Sequence, residues 1–215
     1  MKFEIKDPGS AITHFIGMLM AAFAATPLLI RAASNPDKIH LISLSIFIIS
    51  MILLYAASTT YHTLNLSERT NRILRKIDHC MIFMLIAGSY TPVCLIVLGG
   101  KVGYTLCAIV WGIAIAGIIL KLFWITCPKW FSSVLYIAMG WVCVLAFTQI
   151  LNALSPAAFG WLLAGGIIYT VKLPLFNARH KYFGSHEIFH LFVMGGSICH
   201  FIMMYVFVAK MPIGL

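Results

Sequence analysis

Long apolar runs separated by short polar gaps dominate the chain. Seven runs stand out, at 11–30, 41–62, 78–98, 102–122, 133–151, 157–176 and 186–209. A bilayer core of about 30 Å takes about 20 apolar helical residues, so each run has the length of one transmembrane helix. The runs are continuous rather than alternating, which excludes a closed β-barrel. Turn signals fill several gaps: Ser34-Asn35-Pro36, Gly99-Gly100, and Asn152 with Ser155-Pro156. The expected fold is therefore all-α, a single seven-transmembrane helix bundle over 1–215 with no room for a soluble domain. The first run is too long for a cleaved signal peptide, and more spans follow it.

The gaps differ in charge. Lys2, Lys6, Arg69, Arg72, Arg75, Lys76, Lys121, Lys129, Lys172, Arg179 and Lys181 fall on the N-terminal side of the alternating topology. Only Arg31, Lys38, Lys101 and Lys210 fall on the other, completing the 15 basic residues. The positive-inside rule then puts the N-terminus in the cytoplasm and the C-terminus outside. The segment 67–76 reads either as a short interfacial helix or as a loop.

Composition agrees. Of 215 residues, 61% are hydrophobic and 10% charged, with a net charge of +9, and the mean hydropathy is +0.98. A soluble domain of 23.9 kDa has too little interior to hide so much apolar surface. A soluble enzyme, a disordered protein and a nucleic-acid binder are excluded, and the basic residues read as cytoplasmic loops of a multi-pass plasma-membrane protein. The six cysteines are dispersed, with no CxxC pair, and read as inert buried thiols rather than a disulfide framework.

Polar groups within spans are costly and mark function. Ser58 and His62 stand four apart at the inner end of span two. Asp78-His79 open span three, and His186 and His190, again four apart, open span seven. The orientation puts all three clusters at similar depth. An i, i+4 histidine pair is a natural platform for zinc, with His62 as a third ligand and a fourth position left for water. Asp78 is then placed to hold that water or take its proton, and Ser58 to donate a hydrogen bond to a developing oxyanion or to the metal-bound water. The alternatives are histidines that serve as helix–helix hydrogen-bond partners, or haem; the i, i+4 pair cannot supply both axial haem ligands.

Other polar residues read differently. Glu187 turns away from the histidine face and reads as a cap acid. His200 lies about 15 Å deeper than His190 and reads as a bundle hydrogen bond. His79 reads as packing, and His40 and His180 as interfacial loop residues. His14 is either a supporting neighbour of the metal or a surface group. Pro27, Pro92 and Pro174 read as packing kinks.

Together, SxxxH at 58–62, the DH at 78–79 leading into IFMLIAGSYTP, and HEIFHLFVMGGSICHF at 186–201 resemble the hemolysin III family. That family is the bacterial branch of the progestin and adipoQ receptor (PAQR) family. The resemblance runs from GSAITHFIGM at 9–18 to the last span. It implies seven helices with a cytoplasmic N-terminus. It also implies a zinc ion held by His62, His186 and His190, with Asp78 near the metal-bound water and Ser58 as the motif serine.

Three functions follow. One is a zinc hydrolase of lipid amides or esters, supported by the ceramidase-like enzymes in the wider grouping. The second is a sensor or regulator of membrane lipids with a structural zinc. The third is a cytolytic protein, which the family name suggests but an obligate multi-span chain does not suit as a pore former. Membrane lipids are the expected partners and nucleic acid is not.

Overall fold

The computed structural model describes residues 5–177 and 185–214, without the side chains at 129, 172–177, 185 and 186. All regular structure among the described residues is helical. The helices are α1 (Pro8–Ala33), α2 (Lys38–Thr63), α3 (Glu68–Pro92), α4 (Gly100–Phe123), α5 (Lys129–Gly140), α6 (Phe147–Ala153), α7 (Pro156–Asn177) and α8 (Ser185–Ile202).

Among the described residues, six segments are long and apolar enough to cross a membrane: Pro8–Ala33, Lys38–Thr63, Glu68–Leu98, Gly100–Phe123, Trp130–Ala153 and Glu187–Lys210. Seven were expected from the sequence. The remaining run is the shorter apolar helix Pro156–Val171. Its described apolar part is shorter than the about 20 residues that a core of about 30 Å takes. The expected sites at Arg179, His180 and Lys181 lie outside the described residues, as does the side chain of Pro174.

Boundaries follow local chemistry. Asp37 caps α2, its carboxylate accepting hydrogen bonds from the amides of Ile39 and His40. Ser67 caps α3 by accepting from the Thr70 amide. The segment 67–76 is thus neither a loop nor a separate surface helix but the cap and opening turns of α3. Pro92 lacks an amide, and the chain beyond it relaxes into a wide π-turn over Val93–Leu98. Gly99, with φ 58°, turns the chain into α4 while the Gly214 carbonyl presses against it, a conformation and a closeness that suit glycine.

The fifth crossing is broken. Helix α5 stops at Gly140, a tight 3₁₀ segment covers Val142–Ala146, and α6 resumes at Phe147. A broken helix leaves backbone groups that lipid cannot satisfy. Tyr90 of α3 supplies the partners: its hydroxyl donates to the Gly140 carbonyl at 2.6 Å and accepts from the Cys143 amide at 2.8 Å.

Helices α1, α2, α3 and α4 pack in sequence, and α8 fills the space between α1 and α7. Leu28, Leu44, Phe47, Ile48, Phe83 and Met203 belong to one fully buried apolar core. Outward-facing residues remain apolar, including Phe23, Ile30, Leu145 and Phe123, as a lipid-facing surface requires. All six cysteines are free.

Candidate functional site: a histidine–carboxylate centre under the N-terminal segment

The N-terminal segment folds back on the end of α2. The Asp7 amide donates to the His62 carbonyl at 2.9 Å and the Lys6 amide to the Thr63 carbonyl at 3.4 Å. Lys6 covers the Tyr61 ring at 3.5 Å, a cation–π contact. Asp7 stands at the cap position of α1, yet its side chain makes no cap bond. Its carboxylate instead accepts the Nδ1 proton of His62 at 2.9 Å.

His190, buried in α8, is held in the same way from α1. Its Nδ1 lies 3.1 Å from the Ser10 carbonyl and 3.4 Å from the Thr13 hydroxyl. A carbonyl and a carboxylate only accept, so both imidazoles carry a proton on Nδ1. The His62 and His190 ring centres are 5.0 Å apart. His14 stacks on His190 with ring centres 3.7 Å apart and meets Tyr55 edge-on at 5.0 Å. His14 is therefore a buried neighbour of the centre and not a surface group.

Asp78 and Ser58 complete the polar end. Both are buried, and the Asp78 carboxyl faces the Ser58 hydroxyl and the His62 ring. Ser58, His62, Asp78 and His190 line one cavity of about 660 Å³. The cavity extends past Leu85, Ile86, Val93, Trp141 and Phe159 toward Met204, so a polar end opens into an apolar body.

His62 and His190 suit a shared zinc ion. Two imidazoles sharing one tetrahedral zinc at the usual bond length have ring centres about 5 Å apart. The 5.0 Å between His62 and His190 fits, as does the fixing of each Nδ1 by an oxygen acceptor, the arrangement that orients metal-binding histidines. The side chain of His186, the third expected ligand, lies outside the described residues. Among the described residues alone, no group of three or more His, Cys, Asp and Glu is arranged to hold a metal.

Other expectations resolve individually. His200 hydrogen-bonds to the Leu162 carbonyl at 3.3 Å, the expected bundle contact. Glu187 sits in the first turn of α8, over Gly9. His79 lines the cavity. His40 departs from its expected loop setting. It is buried in the first turn of α2, with Nδ1 2.9 Å from the Asp37 carboxylate and Nε2 2.8 Å from the Met211 carbonyl of the C-terminal tail. Asp7, Ser10 and Thr13 escaped the sequence reading. The one signal for Asp7 was an Asp-Pro pair at a helix start, which ordinarily means only a cap.

The fold and its buried histidine–carboxylate centre define a multi-pass helical membrane protein with polar chemistry at one end of the bundle. The family model for Haemolysin-III related proteins matches residues 4–201, and the chain belongs to that family. It is 39% identical over 211 residues to the Hemolysin-3 homolog of Bacillus subtilis (strain 168), covering 98% of both chains. It is 38% identical to Hemolysin-3 of Bacillus cereus, over 93% of this chain and 90% of that one. The Adiponectin receptor protein of Drosophila melanogaster is 23% identical over 91% of this chain, which spans about half, 49%, of that receptor.

Proposed function

We propose that the protein is a zinc-dependent intramembrane hydrolase of lipid amides or esters, with His62, His186 and His190 holding the metal. The observation that supports this reading is the paired fixing of His62 by Asp7 and of His190 by Ser10, beside Asp78 at the end of an apolar cavity. Bound zinc supplies Lewis-acid polarisation of a carbonyl and ready deprotonation of water. The chain's own groups do the rest. The apolar body of the cavity receives the alkyl chain, which brings the amide or ester carbonyl to the polar end. Asp78 accepts the proton of the attacking water and returns it to the leaving group. The Ser58 hydroxyl orients the Asp78 carboxyl.

The same reading includes seven crossings, with α7 as the seventh: its backbone is helical over the 22 residues Pro156–Asn177, enough at about 1.5 Å per residue to cross a core of about 30 Å. It also includes a cytoplasmic N-terminus and an external C-terminus, supported by the 11-to-four division of basic residues. Lysis, which the name Hemolysin-3 of a relative suggests, would then follow from altered membrane lipids and need no pore.

Metal analysis of purified protein, with a lipid amide and ester hydrolysis assay, is the test. Expected are about one zinc per chain and its loss from each of His62→Ala, His186→Ala and His190→Ala. Zinc retained in all three variants would overturn the site. Zinc present without turnover across a broad lipid panel would favour a lipid-responsive regulator with a structural metal.

A further inference from the structure

A second chemical cluster lies at the junction of α4 and α5. Lys121, near the end of α4, is 1% exposed. Its Nζ donates to the Cys127 sulfur at 3.1 Å and to the Ser132 hydroxyl. The Cys127 sulfur and the Ser132 oxygen are 3.2 Å apart, closing a triangle of lysine, cysteine and serine. Neither of the ion pairs found among the described residues includes Lys121. A buried ammonium calls for a compensating anion, and the group at hydrogen-bonding distance able to become one is the Cys127 thiol.

Cys127 is distinct among the six cysteines. The other five lie within membrane-spanning segments, whereas Cys127 lies in the short connection after Phe123. Burial pushes its thiol up, but the hydrogen bonds from Ser132 and Lys121 and the charges of Lys121 and Arg75 outweigh this and hold it below the ordinary thiol range. Tyr136 faces the same group from α5.

The triangle also opens on the large cavity, whose wall includes Lys121, Cys127 and Ser132. Along α5 and α6 that wall continues through Ile137, Trp141, Val144 and Phe147 and is apolar. Arg75 lines the cavity on the α3 side and adds positive charge. An electrophile suited to this place has a long alkyl tail, a soft carbonyl carbon and an anionic carrier.

We propose that Cys127 is a nucleophilic thiolate, activated by Lys121 and Ser132, that accepts an acyl group from a long-chain acyl thioester. The sulfur attacks the thioester carbonyl carbon. A new carbon–sulfur bond forms as the bond to the carrier sulfur breaks, and the carrier leaves with the electron pair and takes a proton from water. No oxidant or reductant is required. The product is a thioester on Cys127 with its chain in the cavity.

Purified full-length protein in detergent is incubated at neutral pH with palmitoyl-coenzyme A, and acylated peptides are mapped by mass spectrometry. Expected is a hydroxylamine-labile acyl group on Cys127, formed faster than on the other five cysteines. Lys121→Met, which keeps the chain volume and removes the charge, should slow its formation by about tenfold or more. Ser132→Ala should slow it less. The wild type alone gives a second readout. N-ethylmaleimide should label Cys127 first, which keeps the proposal falsifiable if Lys121→Met fails to fold. Acylation and maleimide labelling that favour another cysteine, or an unchanged rate in a folded Lys121→Met protein, would overturn it. The adduct should form equally in His190→Ala protein treated with chelator, so failure of the zinc reading and failure of this one are separable.

Discussion

His62 donates its Nδ1 proton to the Asp7 carboxylate at 2.9 Å, and so the first described residues of the chain fix the orientation of a histidine 55 positions later. The Asp7 side chain is 44% exposed and the His62 side chain only 5%, so the acid acts from the surface on a buried ring. The cap bond that Asp7 does not make at α1 is thereby replaced by one that holds the centre together.

Asp7→Ala should leave His62 in place but free to rotate. Loss of such an orienting acceptor lowers metal affinity by about 10–100-fold. Asp7→Asn, which keeps an acceptor oxygen and loses the charge, should fall between this variant and wild type. Zinc titration against a competing chelator measures both. Wild-type affinity in Asp7→Ala would remove Asp7 from the centre.

The sequence made part of this centre legible and hid the rest. Ser58, His62, Asp78 and His190 stood out because polar groups in apolar runs have few innocent reasons to be there. The structure brings these four to one cavity. Asp7 and Ser10 stayed hidden because what makes them matter is the return of the N-terminal segment onto α2 and α8, which no spacing rule encodes. Lys121 was misread for a related reason. A lysine near the end of a run looks like a loop cation, and only the turn back from α4 to α5 shows that Cys127 and Ser132 bury it. His40 was drawn inside by two partners: Asp37, visible three residues away, and the Met211 carbonyl, invisible at that distance in sequence. The break in the fifth crossing has no proline to announce it. Its physical condition is the Tyr90 hydroxyl, which lies on another helix.

Tyr90→Phe tests that account of the broken helix. The substitution removes one hydroxyl and strands a carbonyl at Gly140 and an amide at Cys143. Interhelical hydrogen bonds in membrane proteins contribute about 1–2 kcal/mol at most, so a loss of that order is expected. Unfolding followed in detergent should show the lower stability while zinc content stays at the wild-type level. Unchanged stability would mean that the 3₁₀ segment does not depend on Tyr90.

The Asp37–His40 pair predicts an acid limit at the other end of the bundle. The hydrogen bond from His40, with the capped amides, holds the Asp37 carboxyl below its ordinary value of 3.8. A carboxyl whose value is lowered on folding stabilises the fold above its unfolded value, and that contribution is lost as pH falls through the lowered one. Stability should therefore drop below about pH 4, and Asp37→Asn should flatten that part of the profile. Thermal unfolding in detergent over pH 2.5–6, an interval set by the ordinary carboxylate range at roughly its centre, makes the comparison. An equal acid-side slope in both proteins would exclude the pair.

Orientation is tested with cysteines placed at Arg72 and Lys210 in a background lacking the native ones. The division of basic residues predicts that an impermeant thiol reagent on intact cells labels position 210 and spares position 72. The reverse pattern would turn the bundle over and move the histidine centre to the external face.

Asp78→Asn addresses the chemistry itself. Asp78 is buried in α3, facing Ser58 and His62. A carboxylate at this depth is costly to keep unless something nearby uses it. In the proposed function it takes a proton from the attacking water and does not bind the metal. Asparagine keeps the size and one acceptor oxygen but cannot take the proton. Zinc content should therefore remain near that of wild type while hydrolysis of a lipid amide or ester falls by about 10²-fold or more. Substrate binding should change little, since the proposed function puts the alkyl chain against the apolar wall around Leu85, Val93 and Phe159. The loss should thus appear in kcat and hardly in KM. Zinc lost together with activity would instead make Asp78 part of the metal's support. Normal zinc with wild-type turnover would show that another group, such as His14 or His79 on the cavity wall, takes the proton.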